Sequence, residues 1–442
     1  MAQIIPFKGL RYNKEKIGDL AKVMTPPYDI ISPDEQEQYY NMNDYNIIRL
    51  ELGKEEPGDN EYDNKYARAA SYLNSWIEEQ VLIRESKPSL YIYQQRFTLS
   101  DGTVYTRTGF IGLVRLEEFS KGVILPHENT LSKPKADRLQ LMRACSANFS
   151  QIFGLYDDPE KTVPGLLNQY ISANAPDIQV EAIDGIVERL WVVSEPDIIA
   201  RVQESMSQKK IYIADGHHRY ETALTYRNER IRMNPGHTGN EPYNFVMMMM
   251  VEMDDPGLLI LPTHRVMCGI KDIELKEVMA KAAESFHIEE YGFCGTSREE
   301  RAGEMNTILK KKGFHSFIYY DGSRTNFYVL TLADTNIIRE SLPEHDESYT
   351  DLDVCILHTL LIKPILGIGE EQLANQEFIK YTHDISEGVA LVEDGACPMA
   401  FFVNPTSVKQ VKAVSLAGEK MPQKSTYFYP KLLTGLVLNK ID

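Results

Sequence analysis

The run Ile211-Tyr212-Ile213-Ala214-Asp215-Gly216-His217-His218-Arg219-Tyr220 constrains this chain more than any other segment. Ile211 to Ala214 reads as the end of a buried strand, and Tyr220, Ala223 and Leu224 then recur at helical spacing. The polar residues between them therefore sit on a strand-to-helix turn, a joint that belongs to α/β architecture. Such a turn aims backbone N–H groups and the positive end of the helix dipole at a bound anion. Gly216 permits close approach of the backbone, Arg219 offers a bidentate fork for phosphate, and His217 and His218 can donate hydrogen bonds or exchange protons near neutral pH. The same residues also read as a solvated helix cap, with Asp215 capping and both histidines on the surface. Taken as an exposed phosphate-binding turn, the segment gives Arg219 a role in ligand geometry and little part in packing.

Length sets the frame for that turn: 442 residues suffice for two or three domains with sizeable cores. A formal net charge of -17 argues against nucleic acid or an anionic membrane as partner, since both are held by fields of Lys and Arg. An anionic ligand must then be held locally. Five cysteines, Cys145, Cys268, Cys294, Cys355 and Cys397, are odd in number and lack a C-x-x-C pair, which argues against a disulfide framework or a zinc site. Residues 1–10 show no basic-then-apolar leader pattern, and the apolar run Phe245 to Val251 is too short to span a bilayer. The expectation is a cytoplasmic protein with small-molecule partners, no nucleic acid and no membrane, and homo-oligomers are allowed.

The chain reads as mixed α/β (α+β) in three regions, 1–115, 116–268 and 269–442. In the first, Pro26 and Pro27 impose a structured loop before Tyr28-Asp29, and Ser32-Pro33-Asp34-Glu35 carries the signature of a capped helix start. Ile47 to Leu52 reads as a strand, Tyr66 to Ile77 as an amphipathic helix, and Leu90–Phe97 with Tyr105–Val114 as a hairpin around Ser100-Asp101-Gly102. The middle region alternates strand-like runs with helices and holds most of the chemically capable residues. Its four methionines, Met247 to Met250, read as filler on a strand buried on both faces. The third region mixes helices and strands, includes an apolar helix Val354 to Ile362 with His358 as a satisfied core residue, and ends in the run Gly418 to Tyr429.

Three further clusters accompany the Asp215 turn. In Leu125-Pro126-His127-Glu128-Asn129-Thr130, Glu128 is a natural general base for a hydroxyl, with His127 and Thr130 beside it as substrate-binding candidates. Lys135 and Arg138, a few residues on, are candidates to neutralise phosphate oxygens. Leu261-Pro262-Thr263-His264-Arg265 ends an apolar strand, the place where α/β sheets bind ligands. Lys424, Ser425 and Thr426 offer a cation, hydroxyls and backbone donors without the spacing of a Walker loop. Each of the three also has a plain structural reading, as solvated lysines, a surface ion pair or aromatic packing by Tyr427, Phe428 and Tyr429.

Pro126-His127-Glu128 together with Asp215-Gly216-His217-His218-Arg219 resembles the ParB and sulfiredoxin superfamily, above all its free-serine kinases. Over nearly its full length, including Pro26-Pro27-Tyr28-Asp29, Pro262-Thr263-His264-Arg265 and Met421 to Lys431, the chain looks like a bacterial group catalogued as a domain of unknown function. Some members of that group are assigned as pyrophosphate-dependent L-serine kinases. The resemblance implies a ParB/sulfiredoxin-like catalytic core flanked by N- and C-terminal α/β regions. It further implies Glu128 as the base on the serine hydroxyl, Asp215 to Arg219 as the phosphate site, and His217 or His218 near the transferred group. No cysteine stands inside the turn, which disfavours sulfiredoxin chemistry. The acidic balance and the lack of a basic helix disfavour a DNA-binding partition protein.

Phosphoryl transfer asks mainly for cations, backbone donors and a base, all present in these clusters. It also leads to an expectation of Mg²⁺, with Asp215 as its carboxylate ligand and the donor phosphates and water completing the shell. Substrates would be L-serine or O-phosphoserine with pyrophosphate or phosphate, the same site serving both directions. ATP or ADP as donor, a non-catalytic nucleotide sensor, and a hydrolase with His217, His218 and Asp215 on a metal are the rival readings.

Overall fold

The structure, a computed structural model, describes the chain apart from residues 1, 131, 271–273, 370–371, 373–377 and 442. It is mixed α/β and divides into two compact units. One comprises 1–126, 130–259 and 430–442, the other 127–129 and 260–429. No described helix is long and apolar enough to cross a membrane.

The first unit is built on a nine-stranded sheet. Ahead of it lie α1 (Pro33–Met42), α2 (Ile48–Glu51) and α3 (Lys65–Glu78). The start of α1 carries the expected reciprocal cap between Ser32 and Glu35, with proline at its first turn. The strand expected over Ile47 to Leu52 is instead helix α2. Asn46 accepts from the Ile48 N–H at 2.9 Å, and Ile47, Ile48 and Leu50 are all buried. So short a segment, with apolar Ile47, Ile48, Leu50 and Leu52 interrupted by Arg49 and Glu51, has no periodicity to separate strand from helix, and the local asparagine decides it.

The sheet strands are β1 (Leu90–Thr98), β2 (Val104–Arg115), β3 (Ile124–Leu125), β4 (Ile152–Tyr156), β5 (Ile178–Glu181), β6 (Val187–Val193), β7 (Ile211–Asp215) and β8 (Phe245–Glu252). They run in the order β3-β7-β4-β8-β2-β1-β6-β5, and the short strand Ile4–Ile5 adds to β2. The β1–β2 hairpin forms as expected. Strand β8 lies between β4 and β2, and its four methionines are fully buried. Because strands from before and after position 115 interleave in this sheet, no domain boundary lies there. Residues 430–442 also close on this unit and not on the 269–429 region.

The two faces of the sheet differ. Ile92, Phe110, Ile152, Trp191, Ile213 and Met248 face a core filled by residues of helices 162–173, 196–206 and 217–233. On the opposite face, side chains alternating with these carry Tyr93, Gln95, Arg107 and Glu188, a buried polar row crossing β1, β2 and β6.

The second unit holds a six-stranded sheet in which β9 (His264–Met267) pairs antiparallel with strands 379–382 and 399–403. One face packs Val266, Ile318, Val329, Ala400 and Phe402 against helices 298–312 and 385–393. Cys268 and Cys397, 129 residues apart in sequence, form a disulfide just beyond the paired ends of β9 and strand 399–403. This single bond departs from the reading of the cysteine number and spacing as arguing against a disulfide framework. Spacing along the chain carries no information about partners that sheet pairing brings together. Cys145 and Cys355 are buried free thiols and Cys294 is an exposed one. The helix expected over Val354 to Ile362 is an α-helical turn, Asp353–Leu357, continued by a π-helical segment, His358–Ile362.

Candidate phosphate-binding site

Strand β7 ends at Asp215, Gly216 follows in the left-handed region at φ 91°, and the helix His217–Met233 begins at once. Glycine is required here twice over. The backbone angle strains any L side chain, and a Cβ would stand 2.9 Å from the guanidinium of Arg219. Gly216 supplies no capping side chain, and the first turn of a helix holds N–H groups that have no acceptor within the helix.

Arg219 folds back across this turn. Its Nη2 donates to Asp215 Oδ2 at 2.7 Å and its Nη1 to the Gln151 carbonyl at 2.7 Å. A guanidinium has five N–H groups, so these bonds leave others for a ligand. The other carboxylate oxygen of Asp215 accepts from Lys431 Nζ at 2.9 Å. Burial opposes the charged form of Asp215, but Lys431 and Arg219 outweigh it and hold the carboxyl far below the usual range. The side chains of Arg219 and Lys431 are each 12% exposed and that of Asp215 19%. Arg219 is thus not an exposed turn residue but part of a half-closed ionic triad, and its replacement disturbs stability as well as ligand geometry.

Lys431 belongs to the segment that crosses the polar face of the sheet. Gln95 Nε2 donates to the Lys431 carbonyl at 3.0 Å, Arg107 Nη2 to the Pro430 carbonyl, and Gln151 Nε2 to the Leu433 carbonyl at 3.1 Å. Tyr93 Oη accepts from the Leu433 N–H at 3.0 Å. Arg107 is fully buried over the Phe153 ring and binds Gln95, which in turn donates to Glu188 at 3.1 Å. Burial brings Arg107 down to about 10 and pushes Glu188 up to about 8. Lys431, Gln95 and Arg107 lie in no motif that marks them as site residues in the sequence. The only local signal was the place of Lys431 at the end of the Met421 to Lys431 run.

The raised Glu188 carboxyl makes a pH prediction. A group protonated more readily in the folded state contributes stability that is complete below its unfolded value, near 4.5, and is lost as pH rises through the folded value, near 8. Glu188→Gln keeps the shape and the bond from Gln95 while removing the titration. Unfolding in denaturant should show stability declining less steeply from pH 5 to 8 in the variant than in wild type, the remaining slope coming from other raised carboxyls such as Asp255 and Asp353; parallel pH curves would contradict this assignment.

Around the turn, Arg138 is buried, stacks over Tyr28 at 4.2 Å, and binds the Glu51 carbonyl at 2.6 Å and Asp137 at 2.5 Å. Burial pushes Tyr28 to about 12, while Asp137, despite burial, is drawn down to about 2 by Arg138 and Lys65. Lys135 Nζ and Thr130 Oγ1 both donate to Glu221 Oε2 at 2.7 Å. Lys135 and Arg138 therefore already have carboxylate partners. A cavity of about 50 Å³ between Arg138, Glu51, Ser150 and Arg219 has room for water, not for an amino acid. His217 is buried, and His218 is partly buried, with its pKa lowered by burial first. Asp29 is exposed and acts electrostatically on both His218 and Arg219; among the described residues it makes no hydrogen bond or ion pair.

Asp215 does not fit the expected role of Mg²⁺ ligand. Both its oxygens accept from cationic side chains, whose charge repels a metal ion. Among the described residues no group of three or more His, Cys, Asp or Glu is placed to hold a metal.

The remaining expected residues lie in the second unit. His127 is buried with Nε2 3.1 Å from Thr426 Oγ1, and its carbonyl accepts from the Met421 N–H at 2.7 Å. Glu128 Oε1 accepts from the Lys424 N–H at 3.3 Å. Ser425 is buried, its hydroxyl donating to the Pro422 carbonyl at 2.5 Å. His264 is buried with Nδ1 accepting from the Val403 N–H, and burial takes it down to about 3. Arg265 has no exposed surface and binds the carbonyls of Thr263 and Lys424. The structure thus gives His264, Arg265, Ser425 and Thr426 internal partners, where the sequence suggested direct contact with phosphate.

A two-unit mixed α/β chain with a glycine-pivoted, ionically braced helix entry is the class defined by this geometry. Its sequence profile matches DUF1015, described as a protein of unknown function, over residues 4–355, and the chain belongs to that family. A search of curated proteins finds no match. Among solved structures it is similar to a mutant free serine kinase in complex with ADP, at 10% identity and TM-score 0.34, covering 70% of this chain and 84% of that one. A free serine kinase in complex with AMP aligns at 12% identity and TM-score 0.33 with the same coverage. A conserved hypothetical protein from Pyrococcus furiosus aligns at 14% identity and TM-score 0.32, covering 70% of this chain and 89% of that one.

Proposed function

We propose that this protein is a small-molecule phosphotransferase that moves a phosphoryl group between pyrophosphate and the hydroxyl of L-serine. The observation that carries the reading is the Asp215 to Arg219 turn. A helix entry with positive φ at Gly216 presents Arg219, oriented by Asp215 and Gln151, next to Lys431. Arg219 grips phosphate oxygens with its uncommitted N–H groups, and backbone N–H groups of the helix entry add donors without reorganisation. Asp215 keeps both cations in place and stays ionised.

In the forward direction the serine oxygen attacks one phosphorus of pyrophosphate, the bridging P–O bond breaks, and orthophosphate leaves with that electron pair. The hydroxyl proton passes to Glu128, the role the motif resemblance assigns to it. O-Phosphoserine and phosphate return serine and pyrophosphate by the same path reversed. His218, whose neutral form burial favours, is suited to donating a hydrogen bond to the transferred group. Asp29 offers a carboxylate complementary to the ammonium of an amino-acid acceptor. Mg²⁺ enters this reading only as the counter-ion of the donor diphosphate, not as a ligand of Asp215.

The test is ³¹P NMR of the purified protein with L-serine and, in separate samples, pyrophosphate, ADP or ATP. Formation of O-phosphoserine supports the reading and identifies the donor. No phosphoserine with any donor contradicts it.

A further inference from the structure

A buried arginine with no counter-charge needs a reason. Arg265 lies on β9 with no exposed surface, and among the described residues it meets no carboxylate. Its guanidinium donates through Nη2 to the Lys424 carbonyl at 3.0 Å, through Nη1 to the Thr263 carbonyl, and through Nε to His358 Nε2 at 3.3 Å. The Tyr381 ring stands 5.4 Å from it. Burying such a charge is costly unless strong hydrogen bonds compensate. The residue it grips is itself strained: Lys424 is one of few non-glycine residues with positive φ, at 58°. From that conformation the Lys424 N–H reaches Glu128 Oε1 at 3.3 Å, while the Glu128 backbone forms a parallel bridge with Met421.

We infer that Arg265 is a positioning residue for Glu128: it fixes the left-handed backbone of Lys424, whose N–H orients the Glu128 carboxylate. This rests on the reading of Glu128 as the base. It gives Arg265 a role without ligand contact, consistent with its complete burial. It also makes the backbone of Lys424, more than its ammonium, the part of this segment that serves the reaction.

The test uses the full chain with serine and pyrophosphate, comparing wild type, Glu128→Gln, Arg265→Met and Lys424→Pro. Proline removes the N–H and cannot hold a positive φ, and Lys424 is exposed, so this variant keeps the test open if Arg265→Met fails to fold. Both variants should lose at least ~10-fold in kcat with KM for pyrophosphate within about 2-fold. The acid limb of the kcat profile should move to higher pH, because a carboxylate deprived of an N–H donor is protonated more easily. Wild-type kcat and pH profile in Lys424→Pro would overturn the inference. So would a loss confined to KM for pyrophosphate, which would make Arg265 or Lys424 a direct phosphate ligand. If Glu128→Gln itself keeps wild-type kcat, the base assignment falls instead; an inactive Glu128→Gln beside a fully active Lys424→Pro removes only the positioning role.

Discussion

Glu128→Gln is expected to lower kcat by roughly 10²- to 10⁴-fold, the usual contribution of a positioned general base. The substitution preserves the size of the side chain, and its amide oxygen still accepts from the Lys424 N–H, so the local backbone should stay as it is. What disappears is the capacity to take a proton from the attacking hydroxyl. Pyrophosphate affinity should therefore hold while turnover collapses, a pattern steady-state kinetics and calorimetry separate cleanly. Undiminished turnover would move the base elsewhere. Tight nucleotide or pyrophosphate binding with no turnover even in the wild type would favour a sensing role.

The largest stability effect is expected at Asp215. Its carboxylate stands between Arg219 at 2.7 Å and Lys431 at 2.9 Å, all three side chains mostly buried. Asp215→Asn removes the one negative charge of the triad, and breaking a buried ion pair from one side costs on the order of 3 kcal/mol. For a unit of this size that is a fall in Tm of roughly 5 °C. Because the carboxyl is held far below its usual range, its contribution is present at neutral pH and is lost only as pH falls through its depressed folded value. Wild-type and variant should then differ by the same amount from pH 6 to 8 in thermal or denaturant unfolding. A variant as stable as wild type would mean that solvent already compensates these charges.

The contrast between Asp215 and Lys431 shows what was legible in the sequence. The strand, the glycine and the helix start are local, so their periodicity and chemistry could be read directly from residues 211–224. The methionine strand was legible for the same reason: continuous apolar character over the seven residues Phe245 to Val251 has few other destinations. Lys431 and the Gln95–Arg107 row could not be read that way. Lys431 meets Asp215 across 216 residues, and Gln95 meets the Lys431 carbonyl across 336, contacts created by strand order and by the path of the C-terminal segment. The Cys268–Cys397 pair was hidden by the same non-locality. Arg265 was misread for a different reason: an Arg at a strand end suggests a ligand contact, and only burial reveals that its bonds go to main-chain carbonyls.

The central claim is that the turn from Asp215 to Arg219 holds the phosphate of the donor, and pyrophosphate titration into wild type and Arg219→Lys tests it most directly. Lysine keeps the charge beside Asp215 but cannot form the planar two-oxygen clamp or the simultaneous bond to the Gln151 carbonyl. With folding of the variant verified by circular dichroism, isothermal calorimetry should show Kd for pyrophosphate rising at least ~10-fold, about 1.4 kcal/mol. An unchanged Kd in a folded Arg219→Lys protein would contradict the account and leave the Asp215–Arg219–Lys431 triad as a purely structural brace.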